Sequence, residues 1–193
     1  MENDVATLLS RHTEALALFS DRVHAVRQEQ WDDPTPCTEW SVRDLVNHLT
    51  AEQLWVPHLV VEEADLDEVG EAYDGDVLGA HPRRSWDAAA RAAREAFAEP
   101  GALERTVRLS YGETPAVAYC AQMTTDAVVH SWDLSRAIGA PEQLPDALVA
   151  FALDEVSPYA SELEASGLFA PPIEPPPAHS HQARLLALLG RRA

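Results

Sequence analysis

Asp126 and His130 stand four residues apart in the run D-A-V-V-H. On a helix that spacing stacks two side chains on one face a turn apart, near enough to share one small cation. His48, in N-H-L, offers a second imidazole from a separate amphipathic stretch, with Glu52 one turn further along the same face. Two imidazoles and one carboxylate from facing helices are how metal sites are commonly built in bundle cores. They leave coordination positions open, as in catalytic zinc sites or two-His-one-carboxylate iron sites. Spacing alone leaves a second reading open: a hydrogen-bonded acid–His pair in an ordinary bundle, with no ion.

Around these three lie weaker candidates. Glu52 could orient His48 or act as a general base, or be a surface carboxylate. Trp40, Trp55 and Trp132 could wall a substrate pocket or simply fill the core, and Arg43 could bind a carboxylate of a thiol cofactor. Asp133 and Arg136 could pair with each other at i, i+3. Cys37 and Cys120 belong to no C-x-x-C pair and read as small buried hydrophobes, with Cys37 bordering the pocket as the sharper alternative. His179 and His181 fall in a proline-rich stretch and are expected in solvent.

The elements that must position these residues are mostly helices. Val5, Leu8, Leu9, His12, Leu16, Phe19 and Val23 keep a three-to-four spacing, which predicts a helix over 4–29. The loop W-D-D-P-T-P-C-T-E-W follows. Ser41 then caps a helix over 42–63, with Asp44 completing a capping box and Pro57 set to kink or end it. Residues 65–82 read as an acidic surface connection, and a third helix is expected over 84–99. The run R-T-V-R-L-S-Y-G-E-T-P alternates and predicts a short extended arm turning at Gly112. Thr114 and Pro115 read as the cap and first residue of a fourth helix reaching Ile138, which Gly139 stops. A fifth helix is expected over 145–163, then a proline-rich wrap and a short helix over 184–189. The expected organisation is one all-α, four-helix bundle domain over 1–165, with 166–193 as an extension of the same domain.

Composition narrows the function classes. Among 193 residues 46% are apolar and 24% charged, ordinary for a globular chain. The formal charge of −18 disfavours nucleic acid and anionic membrane surfaces as partners. All 14 basic residues are arginine, which excludes a lysine Schiff base, a P-loop lysine and a Ser–Lys dyad. No apolar stretch is long enough to span a membrane, and the acidic, amphipathic N-terminus does not resemble a signal peptide, so a cytoplasmic protein is expected.

The run Trp31–Leu49 (W-D-D-P-T-P-C-T-E-W-S-V-R-D-L-V-N-H-L) together with His130–Gly139 (H-S-W-D-L-S-R-A-I-G) resembles the actinobacterial branch of the DinB-like superfamily. That branch includes the N-terminal domain of mycothiol-dependent maleylpyruvate isomerase. The segment Leu185–Arg191 (L-L-A-L-L-G-R) resembles the end of small members of the same branch. The resemblance implies an up-and-down four-helix bundle with a divalent metal, usually zinc. The implied ligands are a His on helix two and an acid-x3-His pair on a later helix, at positions matching His48, Asp126 and His130. This sequence departs at the acid, with aspartate where the isomerase has glutamate. It shows no counterpart of the isomerase's separate C-terminal domain, so action on maleylpyruvate is not implied.

The expected function is a divalent-metal enzyme, with zinc favoured and nickel or iron as alternatives. It would activate a mycothiol-like thiol, or water, toward a small electrophilic substrate. The alternative is a non-catalytic metal- or ligand-binding stress-response protein of the same fold. A homodimer is compatible with the pattern, although no seam identifies one.

Overall fold

The computed structural model describes residues 2–64, 69, 71–159, 171–174 and 180–192. Its frame is four long helices: α1 (Glu2–Ala25), α2 (Val42–Val60), α3 (Pro82–Phe97) and α4 (Ala116–Ile138). A two-stranded hairpin, β1 (Thr106–Leu109) and β2 (Gly112–Pro115), precedes α4, and α5 (Asp146–Val156) and α6 (His181–Leu188) pack behind it.

Local contacts fix the direction of each helix. Val42 N–H bonds to Asp33 O within the loop after α1, and the last turns of α1 share an apolar cluster with the first turns of α2, so α2 runs in the opposite direction to α1. Residues 71–81 then lie along α2, where Asn47 donates to Gly75 O and accepts from Val77 N–H. They deliver α3 to the starting end of α2, and the two helices run in the same direction. Phe19 against Trp86 and His12 against Phe97 show α3 antiparallel to α1. The hairpin turns the chain once more, and α4 runs antiparallel to α2 and α3. The connection of 61–81 is thus the long crossover of the bundle.

The ends of the elements follow local chemistry. Ser41 caps α2 by accepting from Asp44 N–H, and Asp44 closes the capping box on Ser41 N–H; such a cap is worth about 1 kcal/mol. Pro57 sits within the last turn of α2, which ends at Val60 rather than at 63, and α1 ends at Ala25 before a 3-10 turn over Gln28–Gln30 rather than running to 29. Pro82 at the first position of α3 starts that helix two residues early. The expected extended arm is half of a hairpin: Thr114 pairs with Val107 in the ladder instead of capping α4, and the helix begins at Ala116. The fifth helix is α5, ending at Val156; the expected residues 160–163 lie outside those described. The last helix begins at His181, earlier than expected. His181 is exposed at its first turn, and His179 lies outside the described residues.

The core is divided. One apolar cluster holds Ala15, Leu16, Phe19, Leu45, Leu49, Trp86, Ala127, Val128, Trp132 and residues of α5 and α6. The other holds Leu8, Val56, Leu59, Ala93, Phe97, Val107, Tyr119 and Met123. On three helices a buried polar residue falls between them: His12, Gln53, and Thr124 with Thr125. Both ring nitrogens of His12, both amide atoms of Gln53 and the Thr125 hydroxyl have no hydrogen-bond partner among the described residues. Among the described residues no helix is long and apolar enough to cross a membrane.

Candidate metal centre

α2 and α4 cross with His48, Asp126 and His130 facing one another. His130 Nε2 lies 3.3 Å from Asp126 Oδ1, and His48 Nε2 lies 3.8 Å from Asp126 Oδ2. The two imidazoles meet edge to face at 5.6 Å between centroids. Ligands bound at 2.0–2.2 Å in a tetrahedral set are about 3.3 Å apart, so the spacing fits a divalent ion with little movement. Asp126 Oδ2 is also buried and accepts no hydrogen bond among the described residues. A buried carboxylate oxygen without a partner is costly in a bundle core and is what a cation would satisfy. His130 is 5% exposed, His48 and Asp126 30% and 21%, so the side chains of His48 and Asp126 reach solvent in part while Asp126 Oδ2 itself stays buried.

The electrostatics bind the group together. Burial alone would lower the pKa of His130, but Asp126, Asp133 and Cys37 outweigh it and hold the imidazole well above its usual range. Burial likewise opposes ionisation of Asp126, yet His130 and His48 keep its carboxyl below the ordinary value. His48 is shifted down, by burial first and by His130, against the pull of Asp126. Glu52 is pushed up to about 7, by burial first and then by the charge of Asp126, with His130 opposing. Its ionisation is therefore tied to the group one turn away.

The other candidates scatter. Trp40 walls the centre, 4.8 Å from the His48 ring and 6.2 Å from that of His130. It is held there by a laced loop: Thr35 N–H and Oγ1–H both donate to Trp40 O, and Trp40 N–H donates to Cys37 O. Trp55 stands edge-on to Tyr73, further along α2. Arg43 is turned away, donating to both Asp76 carboxylate oxygens and to Gly79 O. Trp132 is buried beneath Arg136, whose guanidinium lies 4.5 Å from its ring, and lines a cleft of about 600 Å³ with residues 33–36 and 190–192. The expected Asp133–Arg136 pair does not form, because Arg136 bonds to Glu142 while Asp133 points inward.

Asp133 belongs instead to a cluster that spacing did not single out. It is fully buried and its Oδ2 lies 2.9 Å from His130 Nδ1. Arg191 donates from Nε to both Asp133 oxygens, from Nη2 to Oδ2 at 2.8 Å, and from Nη1 to Leu189 O. Burial would raise the Asp133 pKa, but His130 and Arg191 hold it down to about 2. Cys37 joins this side rather than acting as a plain core residue: its thiol donates to Asp133 Oδ2 at 3.4 Å and sits 3.8 Å from His130 Nδ1. Cys120 is buried in the core as expected, its pKa pushed up to about 12 by burial. Cys37, His130 and Asp133 are close enough to form a second donor group. There, however, the Arg191 guanidinium already covers both Asp133 oxygens and reaches Cys37 Sγ at 3.6 Å. That positive charge disfavours a cation on the Nδ1 side of His130, whereas Nε2 faces the Asp126 carboxylate.

Four helices in this order, with the acid–His pair of α4 facing a histidine of α2, define a DinB-like bundle. The chain belongs to the mycothiol maleylpyruvate isomerase N-terminal domain family, whose model matches residues 12–135. It is similar to uncharacterized proteins of Mycobacterium tuberculosis, strains CDC 1551 / Oshkosh and ATCC 25618 / H37Rv. Each is 34% identical over 135 residues, covering 68% of this chain and 67% of the relative. Crystal structures of the mycothiol-dependent maleylpyruvate isomerase and of a point variant share the fold, with TM-scores of 0.58 and 0.60 at 16% and 13% identity. Each match covers 82% of this chain and 72% of the other.

Proposed function

We propose that this protein is a divalent-metal-dependent enzyme that activates a low-molecular-weight thiol of the mycothiol type, or water. The activated group attacks a small electrophilic molecule in a transfer or an isomerisation. The observation that carries the reading is the buried, unpartnered Oδ2 of Asp126 between two imidazoles. Membership of a family described by a mycothiol-dependent isomerase domain supports the thiol as the nucleophile. The donor set of two imidazoles and one carboxylate suits zinc, with nickel and iron as alternatives.

His48, Asp126 and His130 would hold the ion. When bound, a divalent cation supplies Lewis acidity that lowers the pKa of a thiol or water approaching it. Glu52, whose carboxyl is pushed up to about 7 by burial and by Asp126 when no ion is bound, is the nearby group that would accept the proton of that nucleophile and return it to the product. The Trp40 face borders both histidines and keeps bulk water from that flank. Cytoplasmic location and a homodimer complete the proposal.

Metal analysis by plasma mass spectrometry on untagged protein tests it, wild type against His130→Ala. About one equivalent of zinc, iron or nickel, lost in the variant, is expected, together with metal-dependent turnover of a thiol and an electrophile. Wild type that holds no metal after incubation with zinc and dialysis would sink the proposal. Metal without turnover would leave a metal-binding module.

A further inference from the structure

The imidazole of His130 has two sides, and the proposed function uses only one. On the other, Nδ1 faces Asp133 at 2.9 Å, and Asp133 is gripped by Arg191, a residue 58 positions further along the chain. We propose that Asp133 and Arg191 are positioning residues for His130: they hold the Nδ1 proton and the ring plane, so that Nε2 is directed at the site shared with His48 and Asp126. This rests on the metal reading given above.

Four observations carry it. Asp133 has no exposure and Arg191 only 9%, so their pairing is not a solvated surface contact. The guanidinium meets the carboxylate through two nitrogens, a fork that fixes direction as well as charge. The turn that delivers Arg191 is itself specified: Gly190 takes φ 75°, Gly190 N–H bonds to Ala187 O, and Arg191 N–H bonds to Leu186 O. That is a Schellman stop, which swings the residue after the glycine back toward the helix. Finally, Asp133 accepts from three directions, from His130, Arg191 and the Cys37 thiol, so it cannot rotate without breaking all of them. Metal-binding histidines generally donate their second ring N–H to such a carboxylate, and losing it weakens metal affinity about 10–100-fold. What is specific here is the origin of the clamp. It comes from the segment after α6, so the far end of the described chain is built into the geometry of the centre.

The test titrates metal-free full-length protein with zinc against a chelating dye, for wild type, Asp133→Asn, Arg191→Ala and Arg191→Lys. It also follows the His130 Nδ1 proton by NMR of histidine-labelled protein. Zinc Kd is expected to weaken about 10–100-fold in Asp133→Asn and Arg191→Ala, and less in Arg191→Lys, which keeps charge but not the fork. The low-field Nδ1–H signal of wild type should be lost or shifted in Asp133→Asn. An unchanged Kd and an unchanged Nδ1 signal in Asp133→Asn would overturn the inference, as would a lower melting temperature with both unchanged. If wild type binds no zinc, the function proposed above fails by itself. The positioning role is then decided by the Nδ1 signal in metal-free protein: retained in wild type and lost in Asp133→Asn it stands, and equal in both it falls.

Discussion

Glu52, one turn from His48 on α2, has its pKa raised first by burial and then by the field of Asp126 across the groove, with His130 opposing. Replacing it by glutamine keeps its size and removes its ability to accept a proton. Turnover of Glu52→Gln should fall about 100-fold or more while zinc content stays near that of wild type, as kinetics and metal analysis on one preparation would show. Metal lost together with activity would mark Glu52 as a holder of the site instead. The sequence displayed His48, Glu52, Asp126 and His130 because their geometry is local, a matter of helical spacing within α2 and within α4. It could not display Asp133 with Arg191. Arg136 stands three residues from Asp133 and is the nearer partner on paper, but Asp133 faces the interior and Arg136 stays at the surface against Glu142. Burial decides between those partners, and it is a property of the folded chain. Arg43 fails as a pocket residue for a related reason, since its partner Asp76 arrives only when the crossover folds back along α2.

Elements were legible wherever a single residue punctuates them. Ser41 with Asp44, Gly139 after α4 and the turn at Gly112 all sit at boundaries. The second strand escaped because G-E-T-P is too short and polar to alternate, and its pairing with Thr106–Leu109 is what makes it a strand. Thr114 and Pro115 imitate a helix start for the same reason. Gly190 is the boundary with the largest consequence. Its left-handed φ suits glycine, and a side chain there carries a cost of about 1–2 kcal/mol. Gly190→Ala should lower unfolding free energy by about that amount in urea melts and weaken zinc binding as Arg191 loses its approach. Alanine accepted with neither change would show that the turn does not set the clamp.

At the scale of the whole molecule, a charge of −18 coexists with a core that buries a histidine without any hydrogen-bond partner among the described residues. His12 is fully buried, edge-on to Phe97, and its pKa is lowered to about 4, by burial first and then by Arg94. As pH falls, the unfolded chain takes up a proton on this imidazole near its ordinary value of 6.5, while the folded chain resists until about 4. The contribution is therefore complete above about pH 6.5 and is lost as pH falls toward 4, a difference of about 3 kcal/mol. Denaturant melts of wild type and His12→Phe at a series of pH values should show a shallower acid decline in the variant. Parallel declines would assign the acid sensitivity to other groups. His12, Gln53 and Thr125 together mark the plane where one apolar cluster gives way to the other. Residues that share no packing partner contribute to stability nearly independently. Substitutions at the hairpin end should therefore add nearly independently to substitutions at the end that carries Trp40, Cys37 and Arg191, as urea melts of single and double variants would show. Within one small fold, the hairpin and the support of His130 rest on separate packing.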